Sequence, residues 1–108
     1  MSKSDVYQKE LMKLQGIFKD VEASKAQLVE GLIEDAAFLL AENHELRLII
    51  GTTGMVKIHP QHPDIQKSTE AAKQYLKNVN SYAVVIKTLN GVLHKGLMEE
   101  EEDMSEFE

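Results

Sequence analysis

Three features of this sequence point to a mainly α-helical fold. Apolar residues recur at three- and four-residue spacing in two long stretches, an apolar seven-residue repeat runs through the C-terminal half, and glycine or proline breaks the pattern only briefly between them. The expected architecture is an antiparallel helical hairpin, a short β-hairpin or extended turn, a long C-terminal helix and an acidic disordered tail. Residues 1–97 are expected to form a single helical domain, and residues 98–108 a flexible tail.

In the first helix, expected over residues 5–22, Tyr7, Leu11, Leu14, Phe18 and Val21 follow one another at spacings of four, three, four and three. That spacing places them on one helical face. Ser24 has the side chain of an N-cap, an oxygen able to accept a bond from a free backbone N–H. From there a wide stripe runs through Leu28, Val29, Leu32, Ile33, Ala36, Leu39, Leu40 and Asn43. Its width predicts packing on more than one neighbour. The link Glu22–Ala23 is so short that the two helices must fold back antiparallel.

Gly51-Thr52-Thr53-Gly54 is turn chemistry, and Met55-Val56-Lys57-Ile58-His59 alternates as a short strand does. Leu48-Ile49-Ile50 either pairs with that strand or forms the last turn of helix two. Pro60 and Pro63 bound the following loop, and Asp64 suits the start of helix three. Along that helix Ile65, Ala72, Val79, Ile86 and Leu93 recur every seven residues, with Tyr75, Tyr82 and Leu89 offset by three. This is the a/d seam of a coiled coil or bundle. Asn78, Asn80 and Ser81 are weak helix formers within it, and Gly96 is the expected stop.

Charge is unevenly spread. The net charge is −6, yet the last eleven residues, MEEEEDMSEFE, hold seven acidic side chains and no basic one. From Arg47 to Leu97 seven basic residues face only Asp64 and Glu70. A basic half followed by an acidic tail that carries Phe107 has two readings, a tail that docks on a macromolecular partner or one that only solubilises the chain. Absence of cysteine excludes disulfides, cysteine-ligated zinc and thiol catalysis. The N-terminal residues lack an apolar h-region, and the longest apolar run, Ala36 to Ala41, is too short to span a bilayer.

No catalytic constellation is legible. Gly51 and Gly54 do not form a phosphate loop, and no serine or threonine sits in a nucleophile elbow. His59 and His62 lack a third ligand nearby, so exposed loop histidines outweigh a metal site. Glu30, Glu34 and Asp35 read as a solvated helix face. No enzyme activity, cofactor, metal or small-molecule substrate is expected. Lys57, Lys67, Lys73, Lys77, Lys87 and Lys95 are the candidate contacts to DNA phosphates, since repetition of a modest basic patch around a symmetric assembly makes a basic band. Leu32, Leu39, Ile65, Val79, Tyr82, Ile86 and Leu93 are the candidate self-assembly contacts.

The order of segments LVEGLIEDAAFLLAEN (28–43), GTTGMVKIHP (51–60) and STEAAKQYLKN (68–78) resembles the small terminase subunits of tailed bacteriophages. It is similar in particular to their short branch from phages and prophages of Gram-positive bacteria. The resemblance covers roughly residues 11–93. It implies a non-catalytic homo-oligomeric ring that binds double-stranded phage DNA at the packaging site. It also implies recruitment of the large terminase subunit, which carries the ATPase and nuclease, in the cytoplasm of the bacterial host. The implied contacts to the large subunit are Glu99, Glu100, Glu101, Glu102, Asp103 and Phe107. Many family members begin with a helix-turn-helix domain, which is not expected within the N-terminal residues here, since the first hairpin helix is expected from residue 5. DNA contact is then expected from the helical hairpin, the GTTGMVKIHP region or helix three. Two other classes compete: a coiled-coil adaptor that never touches DNA, and a small dimeric DNA-binding regulator.

Overall fold

The computed structural model describes the backbone of residues 1–105 and the side chains of residues 1–93. Helix α1 spans Lys3–Ile17, a 3-10 turn spans Ala23–Lys25, and α2 spans Ala26–Thr53. Strands β1 (Val56–Ile58) and β2 (Gln66–Ser68) follow, and α3 spans Glu70–Ser105. The expected fold class is observed: helical hairpin, two-stranded ribbon, long final helix.

Helix α1 starts where its cap is satisfied. The Ser2 hydroxyl accepts from the Asp5 N–H (3.1 Å), and the Asp5 carboxylate accepts from the Ser2 N–H (3.1 Å). This reciprocal box satisfies two otherwise free donors. It begins the helix two residues before the expected start, and Phe18 closes it. Ser24 is not the N-cap of α2. It lies inside the 3-10 turn, and Lys25 precedes the helix without a side-chain cap. The turn tightens the link instead, with the Lys25 N–H donating to the Glu22 carbonyl at 2.9 Å.

Helix α2 is the centre of the fold and packs on both α1 and α3. Leu14 and Phe18 from α1, Val29, Ile33 and Ala36 from α2, and Leu89 from α3 form the core. Leu11, Val21, Leu32, Tyr82, Val85, Ile86 and Val92 close around it. The 3.6-residue stripes place these residues on facing surfaces, and removing them from water is the main stabilising term.

Leu48-Ile49-Ile50 belongs to α2, which runs on through Thr53. Gly51 is helical, so the break rests on Gly54 alone, with φ 78° and ψ 168°. A side chain disfavours that conformation strongly. The partner of β1 is therefore Gln66–Ser68, in antiparallel register Val56↔Ser68, Lys57↔Lys67, Ile58↔Gln66. This corrects the expected start of helix three at Asp64. Ile65 sits at the end of the hairpin loop, accepting from the His59 N–H at 3.0 Å, and is not part of the helical seam. Thr69 opens α3 instead: its Oγ1 accepts from the Ala72 N–H at 3.3 Å.

Of the expected seam of α3, Ala72, Tyr75, Tyr82, Ile86 and Leu89 face the body, and only Ile65, Val79 and Leu93 depart from it. Asn78, Val85 and Val92 face the body as well, while Val79 and Leu93 are each 39% exposed. The helix passes unbroken through Asn78, Asn80 and Ser81, and Asn78 is itself buried. It does not stop at Gly96, because a glycine ends a helix only where the chain turns. The backbone from residue 98 to Ser105 is helical and continues α3. Residues 106–108, including Phe107, lie outside the described residues, as do the side chains of Lys95, Glu99, Glu100, Glu101, Glu102 and Asp103.

Candidate nucleic-acid and assembly surfaces

The three helices make a rod. Its extents are 73 × 30 × 16 Å and its radius of gyration is 19.6 Å, against about 13 Å for a compact domain of this length. It exposes 8121 Å², where a compact monomer of this mass exposes about 6,100 Å². Much of that surface is apolar. Leu28, Phe38, Leu48 and Ile49 are exposed on α2, and Leu76, Val79, Val84 and Leu93 on α3. Seven-residue spacing places Val79, Ile86 and Leu93 along one ridge bordering the core.

The expected assembly residues divide on this basis. Leu32, Tyr82 and Ile86 pack against the chain's own core, and Leu39 is half-buried. Ile65, Val79 and Leu93 remain open to a partner. Tyr82 has a further role that spacing does not reveal. Its hydroxyl donates to Glu10 Oε1 at 3.0 Å, and Lys13 holds the other carboxylate oxygen at 2.9 Å. Glu10 is 5% exposed, so the bond ties α1 to α3 over a buried charge. Burial, and then the bond to Glu10, push the Tyr82 hydroxyl up to about 12.

At the other end of the rod, the hairpin stands on a clasp. The Thr69 hydroxyl donates to the Gly54 carbonyl (2.9 Å), and the Thr69 N–H donates to the Met55 carbonyl (2.9 Å). Thr69 is 8% exposed and joins the ribbon to the first turn of α3. Thr52 and Thr53 hydroxyls both donate to the Ile49 carbonyl, at 2.9 and 3.0 Å, which satisfies the last turn of α2. At the tip the His59 Nδ1 accepts from the backbone N–H groups of Gln61 (3.1 Å) and His62 (3.2 Å). Its ring lies 5.1 Å from that of His62. His59 is thereby occupied in shaping the loop.

Lys57 and Lys67 face each other across the ribbon. Both line an open groove with Thr53, Thr69, Glu70 and Lys73, between the end of α2 and the start of α3. Among the described residues neither Lys57 nor Lys67 has a carboxylate within ion-pair distance, whereas Lys73 lies 3.3 Å from Glu70. Lys77 is exposed one turn further along α3, and the Arg47 guanidinium lies 5.9 Å over the Tyr75 ring. Of the expected DNA contacts, Lys57, Lys67 and Lys73 are therefore brought together. Lys87 is exposed near the core end of α3, away from them.

Thr69 and Thr53 were not legible as site residues. A threonine before Glu-Ala-Ala is an N-cap signal, but Asp64 after Pro63 offers the same signal more strongly.

Compared with known proteins, the chain matches no family model, no curated protein and no solved structure. Among the described residues no helix is long and apolar enough to cross a membrane.

Proposed function

We propose that this chain is a small terminase subunit of phage DNA packaging. In this reading it is a non-catalytic adaptor that assembles into a ring, binds double-stranded viral DNA at the packaging site, and recruits and modulates the large ATPase–nuclease subunit in the host cytoplasm. The observation that carries the reading is the open surface. Leu28, Phe38, Leu48 and Ile49 on α2 and Leu76, Val79, Val84 and Leu93 on α3 are exposed apolar side chains that subunit contacts would cover. The exposed ridge through Val79 and Leu93 supplies apolar side chains to such contacts. The order of the segments from residue 28 to residue 78, similar to that of small terminases, supplies the packaging role.

The polarity of the chain fits an adaptor. The basic ribbon and the acidic segment lie at opposite ends of α3, a helix of 36 residues and about 54 Å. One end can hold nucleic acid while the other engages a protein.

The test is co-purification with a cognate large subunit, using the full chain and a version ending at Met98. The full chain retains the large subunit. The shortened chain assembles to the same mass but retains less of it. Equal retention by both removes the acidic segment from the mechanism, and no retention by the full chain overturns the packaging role.

A further inference from the structure

The sequence places seven basic residues between Arg47 and Leu97, but the fold divides them. Residues 47–77, which build the hairpin end, carry five basic side chains (Arg47, Lys57, Lys67, Lys73, Lys77) and only Asp64 and Glu70 against them, a net +3. Residues 26–46 of α2 carry five acidic side chains and no lysine or arginine, and residues 78–108 carry two basic against seven acidic. Because Ile33 and Leu89 meet in one core, α2 and α3 run antiparallel, and Lys87 sits at the level of Glu34 and Asp35. Seen by a polyanion, the hairpin end attracts and the rest of α2 and α3 repels.

The ribbon itself carries the second observation. Every residue from Gly51 to Ser68 is exposed, so the hairpin adds no side chain to the core. Its central rung sets Lys57 directly opposite Lys67. Like charges in that position oppose strand pairing, and an isolated two-stranded ribbon is already marginal. The arrangement weakens the fold of the free chain and is relieved when an anion lies between or across the two ammonium groups. Lys57 and Lys67 stand on one rung, and Lys73, paired with Glu70, lines the same groove, so a phosphate strand laid along the ribbon meets two ammonium groups with no carboxylate at ion-pair distance among the described residues. A two-stranded ribbon also fits the width of the major groove.

We infer that the β1–β2 hairpin, through Lys57 and Lys67 with Lys73 beside them, is the element that contacts the phosphate backbone of duplex DNA, and that Lys87 on α3 takes no part. The inference rests on the DNA-binding role proposed above and assigns that role to one end of the rod.

The experiment is fluorescence anisotropy with a labelled 30-bp duplex, using the full chain over a series of salt concentrations. Wild type, K57E, K57Q/K67Q, K57R/K67R and K87E are compared, with circular dichroism and light scattering on each. The K57E change sets opposite charges across the rung, which favours the hairpin, so loss of binding there is not loss of folding. Affinity falls on the order of 10-fold or more in K57E and K57Q/K67Q, and the log–log salt slope shrinks by about 2 per engaged subunit when both lysines are removed, at about 0.9 per phosphate. The arginine pair keeps wild-type affinity, and K87E changes little. If wild type binds and the hairpin variants bind equally well, or K87E loses as much as they do, the inference is overturned while the DNA-binding reading stands. Loss of assembly in the hairpin variants with undiminished DNA affinity also overturns it and makes the ribbon a subunit contact. Failure of wild type to bind duplex DNA overturns both.

Discussion

Around Ile33 and Leu89, helices from three parts of the chain meet, and both side chains are almost wholly removed from water. At the other end, the eighteen residues from Gly51 to Ser68 bury nothing, and the ribbon hangs on the hydrogen bonds of Thr69 and the backbone of Gly54. The first region is held mainly by apolar area. The second is held by local geometry and carries unrelieved charge. Stability and binding are therefore separable in this molecule: substitutions at the packed end should act on folding, and side-chain substitutions on the ribbon, Gly54 apart, on association.

The largest contrast comes from truncation. Leu89→Ala should cost about 2–5 kcal/mol, because the cavity it leaves is walled by three helices. Ile58→Ala on the ribbon should stay within about 0.5 kcal/mol. Urea denaturation of both variants measures the difference. A large cost at Ile58 would mean that the ribbon packs on a neighbouring copy.

Gly54→Ala should cost about 1–3 kcal/mol, since the backbone there is nearly restricted to glycine. An added Cβ would meet only the Val56 carbonyl oxygen at 3.8 Å, an ordinary contact, so the cost is conformational and not steric crowding. Thermal unfolding with hydrogen exchange on residues 54–69 tests it, and an unchanged midpoint would show that the chain can leave α2 by another path.

Tyr82→Phe should cost about 1.5 kcal/mol, the low end for a hydrogen bond to a charged partner. The hydroxyl is pushed up from 10.0 to about 12 in the folded chain, so it favours the protonated form there. Its contribution is fully present below pH 10 and is lost as pH rises from 10 towards 12. Stability measured across that window should fall in wild type and fall less in Tyr82→Phe. Parallel curves would remove the Glu10–Tyr82 bond from the account.

The smallest effect sharpens the comparison most. Lys57→Glu should stabilise the ribbon by about 0.2–1 kcal/mol, by replacing a like-charge rung with an opposite-charge one. Amide exchange at residues 56–58 and 66–68 should slow while global stability stays constant. Faster exchange would mean that Lys57 and Lys67 are already held apart by solvent and exert no strain on the pairing.

The packed end was legible because periodicity reports burial directly. Leu14, Phe18, Val29, Ile33 and Ala36 are picked out by spacing alone and are all buried. The hairpin end was legible only in part. Gly54 and the alternation of Met55–His59 mark β1, but Gln66-Lys67-Ser68 has no β-branched or aromatic residue to mark β2. Ile65 also stands seven residues before Ala72, so a heptad count absorbs it into α3. The rung Lys57–Lys67 depends on that missed register and could not be read from composition. Heptad spacing puts Tyr82 on the seam, but its partner Glu10 is 72 residues away in the chain and no local pattern connects them.

Self-assembly is the claim on which the adaptor reading depends, and solution mass tests it most directly. Light scattering coupled to size exclusion, at low and high salt, should find one discrete species many times the chain mass of 12.2 kDa. Replacing Val79 and Leu93 by Glu should reduce it to smaller species. A monomer or simple dimer of the unaltered chain at both salt concentrations would contradict the account.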